Sequence, residues 1–260
     1  MLFTPQVSGS HTSKSNRILA VGDSFFDIEG ACYKEPAAKH IKFWPEIIAQ
    51  ELNMDIDIHG FSGCSNEHIF NKLLDYTNQK HYDLIILSWT QLFRLTFEDG
   101  PFHISANYLP KKYRNKDMKP KKYANPEGTI FSDKPWITDI YQILFYETKH
   151  FWWKNIEKRT QRMIDSVHNI FPNSIQVFGP EPFEYAVAEE FQLHSEKIKF
   201  DIRNRKKISM QVATWLSEQT KMQNAAKDKY YCSMTDGHPN TFANEELAKI
   251  MLPKVKEVLK

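Results

Sequence analysis

The chain has 260 residues, 41% of them hydrophobic and 25% charged, which suits one globular domain with a sizeable core and excludes a disordered or fibrous protein. Lys and Arg number 34 against 32 Asp and Glu, so the net charge of +2 gives no whole-chain case for nucleic acid, and none is expected as a partner. No apolar run approaches the ~20 residues that cross a bilayer, and residues 1–16 lack the apolar segment of a secretory signal, so no membrane span is expected and the default address is cytoplasmic.

Arg17-Ile18-Leu19-Ala20-Val21 is a short apolar run stopped by Gly22-Asp23, a buried strand delivering a tight turn on which Ser24 sits. Trp44, Ile47, Ile48 and Leu52 recur at helical spacing, and Met54, Ile56 and Ile58 alternate at strand spacing before Gly60-Phe61-Ser62-Gly63 breaks the pattern. Ile69, Leu73, Leu74 and Tyr76 give a second helix face. Asp83 to Trp89 then reads as a third strand, buried on both faces. From Leu95 to about Pro135 periodicity fails over a stretch rich in Pro, Lys, Tyr and Asn, longer than an ordinary connection and expected to be an inserted lid. A long helix is expected from about Ile137 to Phe171, a fourth strand over Ser174–Gly179, further helices between Glu184 and Lys221, and a fifth strand at Tyr230–Ser233.

Strands alternating with helices predict an α/β fold with a parallel sheet of about five strands, covered on both faces, that binds ligands beyond the carboxyl ends of its strands. Ser24, Gly63, Thr90 and His238 each follow the end of an expected strand, so separate loops converge on one edge. The domain expectation is a single unit over residues 1–260, with a polar tail at 1–16 and the insertion at 95–135.

The chemistry lies in Gly22-Asp23-Ser24 near one end and Asp236-Gly237-His238-Pro239 near the other. A serine hydroxyl attacks an ester at neutral pH only when a neighbour takes its proton, and a histidine oriented by a carboxylate is the usual solution. The Gly-x-Ser-x-Gly turn of α/β-hydrolases is absent around Ser24, which argues against that larger fold.

With these blocks in place, the chain resembles the SGNH or GDSL hydrolases, a family of esterases, lipases and carbohydrate deacetylases with a flavodoxin-like three-layer fold. Ile18 to Phe25 (ILAVGDSF) matches the first block, which makes Ser24 the implied nucleophile and its own N–H an implied oxyanion donor. Gly60 to Asn66 (GFSGCSN) resembles the second block and gives Gly63 the role of backbone donor to the oxyanion. Thr235 to Asn240 (TDGHPN) resembles the last block, with His238 as the implied base and Asp236 as its orienting acid. The third block departs from the family's Gly-x-Asn-Asp: here it reads Ser88-Trp89-Thr90-Gln91, with Thr90 at the Asn position as a candidate oxyanion donor through its hydroxyl and the Gln91 amide as the alternative, and losing one oxyanion donor costs about 100-fold or more in turnover. Acid and base are also separated by Gly237 alone, where the family usually has two residues. A Trp-Thr third block with a downstream arginine is similar to phage-borne members.

Other features carry competing readings. Trp89 is either core or a wall of the substrate pocket, and Arg94 either meets an acidic group on the substrate or is structural; both are candidate substrate-binding residues. Asn66 reads as a helix cap rather than a donor. Lys111, Lys112, Arg114, Lys116, Lys119, Lys121 and Lys122 read as a solvated loop before they read as a polyanion site. Asp55, Asp57 and His59 share one side of the second strand and read as an exposed polar face rather than a metal site. Cys32, Cys64 and Cys232 fit neither a disulfide framework nor a zinc pattern, and no metal or organic cofactor is expected. The expected function is hydrolysis of a small-molecule or glycan-borne acyl ester through an acyl-serine. The rivals are a catalytically silent binding or virion-associated module of the same fold, and an O-acyltransferase using the same acyl-enzyme.

Overall fold

The computed structural model describes residues 16–27, 41–90, 92, 95–96, 103–104, 149–179, 209–222, 229–233 and 236–260. Strand β1 (Arg17–Gly22) leads into a single 3-10 turn, Ser24–Phe26. Helix α1 (Trp44–Leu52) has Pro45 in its first turn, where a missing N–H costs nothing, while Glu46 accepts the Phe43 N–H at 2.7 Å and Asn53 ends the helix in the left-handed region at φ 53°. Strand β2 (Asp55–Gly60) and helix α2 (Asn66–Gln79) follow, α2 being capped by Ser65, whose side chain accepts the His68 N–H. Strand β3 (Leu84–Trp89) is buried throughout, as its unbroken apolar run requires.

Leu95–Thr96 (β4) and His103–Ile104 (β5) pair antiparallel at the start of the expected insertion. The rest of that insertion, with the Lys111–Lys122 cluster, lies outside the described residues, as does the tail up to residue 15. Helix α3 (Lys149–Ile170) lies within the long helix expected from Ile137 to Phe171, of which residues 137–148 are outside the described residues, and β6 (Ser174–Phe178) follows. Then come β7 (Met210–Gln211), α4 (Val212–Met222), β8 (Tyr231–Ser233), β9 (Asp236–Pro239) and α5 (Thr241–Val258), the last capped by Asn240 accepting from Ala243 N–H.

The main sheet runs β2-β1-β3-β6-β7 with every pair parallel, the flavodoxin-like strand order. Ile18, Ala20, Leu84, Ile86, Ile175 and Val177 face α1, α4 and α5 in one continuous core. The alternate residues face the other way, where Gln176 Nε2 donates to the Ile164 carbonyl of α3 and the buried Ile69 and Leu73 of α2 complete the layer. The result is three layers, helix on sheet on helix.

The fifth strand is a correction. It is β7, whereas Tyr231–Ser233 pairs antiparallel with Asp236–Pro239 in a separate hairpin. Two residues running straight into α4 carry no alternation to read. His238 therefore reaches the sheet edge on the second strand of a hairpin, not on a loop leaving a sheet strand. Among the described residues, no helix is long and apolar enough to cross a membrane.

Candidate active site

Ser24 opens the turn that ends β1. Asp23 holds that turn from below: its carbonyl accepts the Phe26 N–H at 3.0 Å and its Oδ1 accepts the Phe25 N–H at 3.2 Å. The turn is seated on glycines. A Cβ on Gly60 would lie 2.3 Å from backbone atoms of Phe26 and Asp27, and one on Gly22 would lie 2.6 Å from Ser88 Cβ, so only glycine lets the chain segments approach this closely.

His238 reaches this turn from the far end of the chain. Its Nε2 lies 2.7 Å from Ser24 Oγ across 214 residues of sequence, a hydrogen-bond length suited to proton transfer between nucleophile and base. The Phe25 ring packs beside the imidazole, centroids 5.0 Å apart. Asp236 begins β9, two residues before His238; its side chain lies outside the described residues.

Gly63 follows β2 with φ 76°, a left-handed turn conformation suited to glycine. The segment before it is pinned to the serine turn: Phe61 N–H donates to the Gly22 carbonyl at 3.0 Å, and Ser62 donates to Asp27 Oδ2 from its N–H at 3.1 Å and its hydroxyl at 2.6 Å. Neither Asp27 nor Ser62 carries a sequence signal for this contact, which joins two loops remote in the chain.

The third block serves the interior. Thr90 is fully buried, and its hydroxyl donates to Asp23 Oδ2 at 3.3 Å while Ser88 Oγ donates to Asp23 Oδ1 at 3.3 Å. A hydroxyl has one proton, and that of Thr90 is directed at a carboxylate. Asn66 does not cap α2. Its amide bridges instead to the third block, donating to the Thr90 carbonyl at 3.1 Å and accepting the Thr90 N–H at 2.8 Å. Trp89 is fully buried, and its indole N–H donates to Gln176 Oε1 at 2.9 Å, the arrangement of a core residue. Arg94 and Gln91 lie outside the described residues.

The polar side of β2 is more enclosed than expected. Asp57 accepts the Tyr82 hydroxyl at 2.8 Å and Lys80 Nζ at 3.1 Å, with Arg17 at 3.6 Å. Burial pushes its carboxyl up, but the Tyr82 and Lys80 hydrogen bonds and the charges of Lys80 and Arg17 together hold it below the usual range. His59 stacks on Tyr76 with centroids 3.9 Å apart, and burial lowers the His59 imidazole. Among the described residues, no three His, Cys, Asp or Glu side chains gather as a metal site.

No protein-family profile matches the chain, and no curated protein does. Among solved structures it is similar to a protein of Desulfitobacterium hafniense assigned to the G-D-S-L family of lipolytic proteins, at 11% identity and TM-score 0.44, covering 92% of this chain and 99% of that one. It is also similar to a protein of Parabacteroides merdae assigned as a GDSL-like lipase, at 13% identity and TM-score 0.39, covering 94% and 97%. By its own strand order, and by the placement of its Gly-Asp-Ser and Asp-Gly-His-Pro blocks, the chain is similar to the SGNH or GDSL hydrolases.

Proposed function

We propose that the protein is a serine hydrolase that cleaves an acyl ester through an acyl-serine intermediate. The observation that carries this reading is the 2.7 Å approach of His238 Nε2 to Ser24 Oγ. Ser24 Oγ adds to the ester carbonyl carbon as His238 takes its proton. Charge moves to the carbonyl oxygen, where the N–H groups of Ser24 and Gly63 receive it. His238 then protonates the leaving alkoxide, and the acyl group stays on Ser24. Water, deprotonated by His238, attacks this acyl-serine and releases the carboxylic acid with Ser24 restored.

Asp236 orients His238 in this scheme. That role is the one implied for it by the resemblance of Thr235 to Asn240 to the family's last block. Thr90 is left out of the oxyanion site because its hydroxyl proton lies on Asp23. Two backbone donors therefore do the work that three groups do in the family's usual arrangement. The aromatic content of 13% favours a glycan-borne acyl group, whose sugar rings stack on aromatic faces.

The test is hydrolysis of p-nitrophenyl acetate and butyrate by the purified protein beside Ser24→Ala and His238→Ala. Each substitution is expected to lower kcat/KM by about 10⁴-fold or more, as loss of a nucleophile or base does in serine hydrolases. Full activity in Ser24→Ala overturns the mechanism. An inactive wild type that nonetheless binds acylated glycans moves the reading to a silent binding module.

A further inference from the structure

We infer that Asp27 is a positioning residue for the oxyanion site: through Ser62 it holds the loop carrying the Gly63 N–H in register with the Ser24 turn. The inference rests on the serine-hydrolase reading and deepens it. An oxyanion site built from two backbone N–H groups works only if both aim at one point, because each hydrogen bond weakens steeply with angle. Here the two donors lie on different loops, one after β1 and one after β2. Something must fix the second loop relative to the first.

Asp27 is placed to do so. It follows the turn that begins with Ser24, and its N–H lies 3.5 Å from the Ser24 carbonyl. Its Oδ2 accepts from both the N–H and the hydroxyl of Ser62, at 3.1 and 2.6 Å, immediately before Gly63. The loop is also held at Phe61, which donates to Gly22, and at Cys64, whose N–H reaches the Phe61 carbonyl at 3.3 Å. The first contact continues the strand ladder and the second closes the loop on itself. The Asp27 carboxylate adds a lateral link from the serine turn to the residue next to Gly63. Its role needs an acceptor at that position rather than a negative charge, which would oppose a forming oxyanion.

The experiment uses the full chain with an ester substrate, active-site titration by a fluorophosphonate probe, and the variants Asp27→Ala, Asp27→Asn and Ser62→Ala. Titration separates loss of folded sites from loss of rate per site. Asp27→Ala is expected to lower kcat per labelled site about 100-fold, the scale of one lost oxyanion donor, with KM within about 3-fold. The rate of phosphonylation, which also places charge on that oxygen, falls in parallel. Asp27→Asn keeps an acceptor and recovers most of the loss, and Ser62→Ala, which removes only the hydroxyl bond, falls about 10-fold. Should Asp27→Ala fail to fold, Ser62→Ala decides the matter alone. Labelled wild type with unchanged kcat per site in these variants, or Asp27→Asn as poor as Asp27→Ala, overturns the positioning role. Wild type that does not label at Ser24 overturns the hydrolase reading and this inference with it.

Discussion

Asp23 is a carboxylate with no exposed surface, lying directly before the proposed nucleophile. It tolerates burial because its oxygens accept from Phe25 N–H, Ser88 Oγ and Thr90 Oγ1, and a buried polar group is costly unless so bonded. This makes a sharp statement about Thr90. Thr90→Val keeps the side-chain shape and removes one donor from that carboxylate, so the expected cost is about 1–2 kcal/mol of stability with kcat reduced by less than about 10-fold. Urea unfolding and ester kinetics on the same preparation check it; a 100-fold loss of kcat with unchanged stability would return Thr90 to the oxyanion site. Gly60→Ala makes the opposite kind of change. Its methyl would meet backbone atoms of the serine turn at 2.3 Å, and backbone cannot rotate aside as a side chain can. The expected result is a loss of about 3 kcal/mol and displacement of Ser24, seen as a lowered urea midpoint and lost activity.

At the scale of elements, β2 is the edge of the sheet next to β1, and its join to α2 titrates. Burial lowers the imidazoles of His59, stacked on Tyr76, and of His68, set edge-on to Phe61. A histidine held below its unfolded value binds fewer protons in the native state, so its stabilising contribution is complete above about pH 6.5 and declines as pH falls through that value. Asp57, held below the carboxylate range, adds a second decline at more acidic pH as its own folded value is crossed. The melting temperature is therefore expected to drop between about pH 7.5 and pH 5.5. His59→Phe, which keeps a ring over Tyr76 and has no proton to bind, flattens part of that drop. Equal slopes in wild type and variant would assign the dependence elsewhere.

The same scale explains what the sequence makes legible. β1, β3 and β6 announce themselves as apolar runs because both their faces are covered, and β2 alternates because it lies at an edge. β7 is silent: two residues have no period. Tyr231–Ser233 resembles a sheet strand in composition, yet its partner is β9, a few residues away, and composition does not say which partner a strand takes. Ser24 and His238 are readable because the proposed nucleophile and base sit in short local motifs. Asp27–Ser62, Asn66–Thr90 and Thr90–Asp23 were not, because they are side-chain bonds between loops with no common local pattern. Thr90 and Asn66 in particular suggest donor and cap by type and position, and only the packing of β3 against β1 turns both inward.

At the scale of the whole molecule, the site exists only when the two ends of the chain are joined. Ser24 comes from the first strand and His238 from the last hairpin, and the join is made largely by α5 against α1. Asn244, fully buried in α5, is the polar centre of that join. Its Oδ1 accepts the Trp44 N–H at the start of α1, 200 residues away, at 3.0 Å, satisfying one of the donors that a helix start leaves open. Its Nδ2 donates to the carbonyls of Pro239 at 3.3 Å and Asn240 at 3.0 Å, the two residues after His238. Asn244→Leu has similar volume and none of these bonds, so it leaves a buried N–H and weakened carbonyls at the hairpin's exit. The expected cost is about 2–4 kcal/mol, with loss of ester hydrolysis beyond that explained by the unfolded fraction, because the strand bearing the base is no longer held to α1. A variant that melts lower but keeps full kcat per phosphonate-labelled site would mean that the Asn244 bonds do not position His238, and that the closure of the two chain ends stabilises the fold without setting the site.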